Sequence, residues 1–295
     1  MATDNQLLSP ETLGRLERLE LVTRKNFRGR MKGERRSKRK GQSVEFADHR
    51  KYVPGDDLRF IDWNLYARLD KLFLRLYMEE EDLHFYSLID TSASMKFGSP
   101  TKLYYAKQLA AALGYIGLCR SDRIKVEALS NSPTPPAAAL RGKSSLWKLL
   151  KHLHSLPETE SVSLHDGVRN FCIRNPGKGI VVLLSDLMDK EGYEAAIRSL
   201  VARQYDVYVI QILSEEELNP ELTGDLRLVD CEDRDTADIS VSPRLMEKYQ
   251  TTLKAFVAEI RQFCARRGIV HMTCSTGQDV DQLVGSYLRT RGLVR

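Results

Sequence analysis

Two aspartates stand where apolar runs end: Asp90 closes the segment FYSLID, and Asp186 closes IVVLLSD. In open α/β sheets, ligands gather beyond the carboxyl ends of the strands, so acids at such points are the first to weigh. Asp90 also opens the run Asp90-Thr91-Ser92-Ala93-Ser94-Met95. A carboxylate with hydroxyls two and four residues on can turn three oxygens into one space as a strand becomes a loop. An oxygen-only, mostly neutral set of this kind suits a hard ion such as Mg²⁺ or Mn²⁺. It also leaves coordination positions open for a carboxylate from outside. The same residues have a plainer use, since acids at strand ends cap following helices and Ser or Thr there is ordinary turn chemistry.

The elements that must position these residues follow from periodicity. Lys102 to Cys119 is apolar on much of its circumference, as a helix packed on a sheet should be. The spacing predicts strands at Ile124–Leu129, Ile180–Leu184, Val207–Leu213 and Ile269–Cys274, and a short one near an edge at Leu226–Val229. It predicts helices at Leu146–Leu156, Leu164–Ile173, Tyr193–Ala202, Pro243–Arg267 and Asp279–Arg289. IVVLL has no alternation, which marks a strand covered on both faces. Strands alternating with helices give the fold class: α/β, with a mostly parallel sheet and helices on both faces.

Upstream, Ser9-Pro10 caps and opens a helix of roughly four turns. Pro54-Gly55 suits a type II turn with glycine at positive φ. Leu72, Leu74, Leu76 and Met78 alternate with other residues, as in a half-buried strand. The short acidic connection 79–82 predicts that this strand pairs antiparallel with His84–Asp90. The organisation expected is therefore an N-terminal helix and basic arm (1–45), a segment with appended antiparallel strands (46–81), and the α/β domain (82–295).

Ten Lys or Arg residues lie between Arg24 and Lys40 against one acid, Glu34, while the whole chain carries only +5. The basicity thus belongs to the arm. Ten cations could neutralise several nucleic-acid phosphates. With only Phe27 nearby to stack on bases, the arm reads instead as a solvated tail, or one that docks an acidic partner or anionic surface. The five cysteines are scattered, without a Cys-x-x-Cys pair, which fits a reducing compartment. No signal peptide is visible and no apolar run approaches the ~18 residues of a membrane span, so a cytoplasmic location is expected. No enzyme is expected either. A haloacid-dehalogenase-like phosphatase wants a second aspartate where Ser92 stands, there is no Gly-x-Ser-x-Gly elbow, and no Gly-x-x-x-x-Gly-Lys loop binds ATP. His152, His154 and His165 read as helix-surface residues.

Asp90-x-Ser92-x-Ser94-Met95 resembles the metal-ion-dependent adhesion site of von Willebrand factor A domains, and Asp186 matches their later metal-associated acid. The segment Glu45-Phe46, Arg50-x-Tyr52-x-Pro54-Gly55-Asp56-Asp57-x-Arg59-x-Ile61-Asp62-Trp63 with Ala67-Arg68 resembles a bacterial family of unknown function. Its members carry this signature ahead of such a domain, and their genes tend to neighbour MoxR-type AAA+ ATPases. The resemblance implies a von Willebrand factor A-like, Rossmann-like fold in which Asp90, Ser92 and Ser94 hold Mg²⁺ or Mn²⁺. Asp186 would order a coordinated water, and a partner's Asp or Glu would complete the shell. It further implies a partner class, a MoxR-type ATPase or its client, but no activity; the role expected is a non-catalytic, metal-dependent protein-interaction domain, with a metal-free interaction scaffold as the alternative. One departure stands out: Val162 falls where such domains place a metal-binding threonine, which leaves Ser161 or Ser163 to substitute. The signature itself allows two roles. Arg50, Asp56, Asp57, Arg59 and Asp62 form an ion-pair brace with Trp63 in the core, or they meet a partner.

Overall fold

The computed structural model describes residues 7–23, 45–78, 83–129, 138–156, 163–231 and 235–295. The chain divides into two compact units, residues 26–82 and residues 1–25 with 83–295. The basic stretch 24–40 and the turn expected at 132–136 fall outside the described residues.

In the larger unit, helix α1 (Pro10–Leu16) is capped by the Ser9 hydroxyl, as the Ser-Pro pair predicts. It is two turns long instead of four. Past Glu17 the chain straightens, because Leu21 forms a β-bridge with Val294 and Glu20 exchanges backbone hydrogen bonds with Arg295. Thr12 donates to Asp281 at 2.9 Å and Leu16 is buried, so this helix packs within the α/β unit.

The smaller unit is built on strand β1 (Glu45–Lys51), helix α2 (Trp63–Leu69) and strand β2 (Phe73–Met78). β1 and β2 pair antiparallel, with a bulge between Phe46 and Asp48. Val53 and Asp56 close the Pro54-Gly55 turn by a backbone hydrogen bond, with Gly55 at φ 104°. The expected pairing of β2 with the following strand does not occur. Along β2, only Leu74 among the described side chains is buried, whereas β3 (His84–Ile89) is buried from Phe85 onward. A strand apolar on both faces belongs between neighbours in a covered sheet, and β3 sits there.

The larger unit continues through α3 (Lys102–Cys119), β4 (Arg123–Ala128), α4 (Leu146–His154), α5 (Leu164–Arg174), β5 (Ile180–Ser185), α6 (Glu194–Ala202) and β6 (Asp206–Leu213). The short α7 (Glu215–Leu218), a hairpin of β7 (Gly224–Val229) and β8 (Thr236–Val241), the long α8 (Pro243–Ala265), β9 (Val270–Ser275) and α9 (Val280–Gln282) complete it. The chain then widens into a π-helical turn over Leu283–Leu288. Five strands form one parallel sheet in the order β4-β3-β5-β6-β9. β7, expected near an edge, pairs instead with β8 as a separate antiparallel ribbon.

Side chains of the central strands alternate between two cores. Ile180, Val182 and Leu184 of β5 face α3 and α4, while Val181 and Leu183 face α5, α6 and α8. All of β5 is buried, and at roughly 1.5–3 kcal/mol per large aliphatic side chain no exposed position could compete for it. Gly179 lets β5 start against β3, since a Cβ there would stand 2.2 Å from the His84 carbonyl oxygen.

Candidate functional site

The parallel register brings the two predicted acids together. Ile89 lies beside Leu184, and the Asp90 amide donates to the Leu184 carbonyl at 2.9 Å. Both strands therefore release their chains at the same level of the sheet. Asp90, Ser92 and Asp186 are all buried. Asp90 Oδ1 accepts from the Ser92 amide at 3.0 Å, which curls the loop so that the Ser92 and Ser94 hydroxyls approach to 3.1 Å. Asp90 Oδ2 accepts from the Ser185 hydroxyl at 2.6 Å. A 3-10 turn over Ala93–Lys96 carries Met95 into the core and pins the loop.

Burial, and then the charge of Asp186, push the Asp90 carboxyl above its ordinary pKa, against the hydrogen bonds from Ser185 and Ser92. The donors on Asp90 are thus neutral. A buried carboxylate beside two hydroxyls, with neutral donors only, is a set that a hard divalent ion fits.

Asp186 has a different environment. Its Oδ1 accepts from the Met188 amide at 3.1 Å, and its Oδ2 takes the Lys102 ammonium at 2.8 Å. Its carbonyl accepts from Gln211 at 3.2 Å. The next residue, Leu187, holds φ at 62°, a conformation costly for a side-chain-bearing residue and fixed here by the Ser185 hydroxyl at 2.9 Å. Lys102 is 1% exposed and reaches a second acid, Glu217, at 2.5 Å. Glu217 is itself held by a capping box with Ser214 at the start of α7. Burial alone would depress the lysine, but the charges of Asp186 and Glu217 outweigh it and raise its pKa.

Lys102 is the site residue that sequence reasoning missed. The available signal was a cation at the first position of a largely apolar helix, next to the positive end of the helix dipole. Ser163, considered as a further ligand, caps α5 and donates to Glu191 at 2.9 Å; Ser161 and Val162 lie outside the described residues. Among the described residues, no three His, Cys, Asp or Glu side chains come together as a metal cluster. The candidate set is one carboxylate with two hydroxyls. Of the histidines, His152 is not simply on the surface, since its ring reaches the Val126 carbonyl at 2.8 Å.

In the smaller unit the signature residues form three separate ion pairs. Arg50 meets Asp56 at 2.7 Å, and Arg59 clasps Asp57 two residues away. Asp62 caps α2 and takes Arg75 through both oxygens (2.9 and 3.0 Å), with His49 at 3.0 Å. The Arg75 and His49 bonds hold the Asp62 carboxyl far below its usual range. Trp63 is not in the core. It is 60% exposed, because Asp62 caps a helix that buries none of its residues.

A central parallel five-stranded sheet flanked by helices, with small antiparallel sheets and an acid-and-hydroxyl cluster at the strand ends, defines a mixed α/β protein. The chain belongs to the family described as protein of unknown function DUF58, whose model matches residues 48–258. It is 24% identical over 275 residues to uncharacterized proteins of Mycobacterium bovis and Mycobacterium tuberculosis, covering 92% of this chain and 86% of theirs. It also matches the solved structure of an aerotolerance-related membrane protein from Bacteroides fragilis NCTC 9343, which carries multiple mutations to serines. That match has a TM-score of 0.41 at 14% identity and covers 70% of this chain and 99% of that one. Among the described residues of the present chain, no helix is long and apolar enough to cross a membrane.

Proposed function

We propose that the α/β unit is a von Willebrand factor A-like interaction domain, non-catalytic, that holds Mg²⁺ or Mn²⁺ and captures an acidic residue of a protein partner. One observation carries this reading: the Asp90, Ser92 and Ser94 oxygens gather at the end of β3, with Asp186 at the end of the adjacent strand. When bound, the ion would supply an electrophilic centre for a partner's Asp or Glu. Asp90 and the two hydroxyls would hold it, and Ser185 would orient Asp90. The resemblance of the PGDD and IDW signature supports a MoxR-type AAA+ ATPase or its client, in the cytoplasm, as the partner.

The test is a Mn²⁺ titration, by calorimetry and paramagnetic resonance, of the full chain and of Asp90→Ala, followed by co-purification with the ATPase with and without the ion. Binding that Asp90→Ala removes, together with ion-dependent co-purification, is expected. A folded chain that co-purifies equally without the ion would reduce the domain to a metal-free scaffold.

A further inference from the structure

The two acids of the site are not equivalent, and Lys102 makes them so. Its ammonium is buried at the first residue of α3, where desolvation and the helix dipole both oppose a cation. It is kept there by Asp186 at 2.8 Å and Glu217 at 2.5 Å. With Lys102 on one oxygen of Asp186 and the Met188 amide on the other, both oxygens of that carboxylate are already engaged. Asp90 is also engaged at both oxygens, but by a hydroxyl and an amide, so that none of its donors is a cation.

We propose that Lys102 sets the ion affinity of the site by placing a buried cation against Asp186, which weakens the pull of that carboxylate on a bound divalent ion and leaves Asp90 as the acid of the site met by neutral donors only. This inference rests on the metal-binding reading above. Its consequence is electrostatic. An ion held by one protein charge and two neutral hydroxyls keeps most of its own charge, and so retains its demand for an outside carboxylate. Lys102 thereby trades intrinsic ion affinity for dependence on the partner. A lysine that only braced the fold would act the other way, since removing it would loosen the site and weaken ion binding.

Lys102→Gln keeps donors for both acids and removes the charge. Mn²⁺ titrations of the full chain, Lys102→Gln and Asp90→Ala, each checked for folding by circular dichroism and melting, test the idea. The expected result is that Lys102→Gln binds Mn²⁺ at least about tenfold more tightly than the unaltered chain, because a cation next to the site is gone. Equal or weaker binding by folded Lys102→Gln overturns the inference. If the unaltered chain then still binds in a way that Asp90→Ala abolishes, the metal-binding reading survives. Binding by Lys102→Gln with none by the unaltered chain supports the role of Lys102 and removes metal dependence from the natural protein. Absence of binding in every variant overturns both. Should Lys102→Gln not fold, Lys102→Gln/Glu217→Gln removes the half-buried second acid along with its partner, and tightening in the same direction is expected.

Discussion

Ser185 donates its hydroxyl to Asp90 at 2.6 Å, joining the ends of two adjacent central strands. The same hydroxyl accepts from the Leu187 amide. One side chain therefore sets the carboxylate of β3 and the backbone that leaves β5. Held in this way, Asp90 is kept buried beside a second acid, an arrangement that works against stability when the carboxyl is ionised.

Asp90→Asn should therefore stabilise the metal-free protein at neutral pH. The folded-state pKa of Asp90 is raised above 3.8 by burial and by Asp186. The contribution of the neutral form is complete below the unfolded value and is lost as pH rises through the folded one. Asparagine cannot ionise, so its melting temperature should match that of the unaltered chain in acid and exceed it at neutral pH, with a chelator present. A lower melting temperature at neutral pH would show that the carboxylate is stabilising after all.

His271 on β9 gives the opposite slope. It is 8% exposed, and neither ring nitrogen has a hydrogen-bond partner among the described residues. Burial, and then Arg261 and Arg291, lower its pKa from 6.5 to about 4. The folded state thus favours the neutral ring: its contribution to stability is present above pH 6.5 and is lost as pH falls toward about 4. The shift corresponds to about 3 kcal/mol at its limit. Urea unfolding at neutral and mildly acid pH should show this loss, and His271→Gln should flatten it. An equally steep acid limb in the variant would place the effect elsewhere.

Much of this was legible in the chain because burial on two faces leaves an unmistakable pattern. IVVLL and the run from Lys102 to Cys119 admit one placement each, and strand ends then locate Asp90 and Asp186. What escaped depended on distant partners. Lys102 is buried by acids 84 and 115 residues away. β2 pairs backward with β1 because its alternation suits a two-stranded ribbon. Trp63 looks like core by composition, yet the Asp62 cap starts a helix that buries nothing. The ribbon strand β8 is mostly exposed and has no apolar period to read.

The three ion pairs of the signature should differ sharply in their importance for folding. Asp57 and Arg59 lie two residues apart near the surface, Arg59 exposed and Asp57 half-buried, so Asp57→Asn should leave the β1–β2 pairing unchanged. Asp62 joins a helix cap to a strand arginine and to His49. Asp62→Ala should expose the β1 and β2 amides to faster hydrogen exchange, an effect absent from Asp57→Asn. Equal protection in the two variants would mean that the hairpin does not depend on this brace.

The two tryptophans supply a direct check on the smaller unit. Trp63 and Trp147 are each 60% exposed, and the chain has no others. Native fluorescence should therefore resemble that of the urea-unfolded chain in wavelength, and iodide should quench both states to a similar degree. Trp147→Phe isolates Trp63, whose ring stands edge-on to Tyr66 at 6.1 Å. If Trp63 is solvent-facing, its replacement by Ala should shift stability by no more than about 0.5 kcal/mol, as for other surface changes. Blue-shifted, quencher-resistant emission from Trp147→Phe would instead place this ring under cover in solution, with something seated on the outer face of α2.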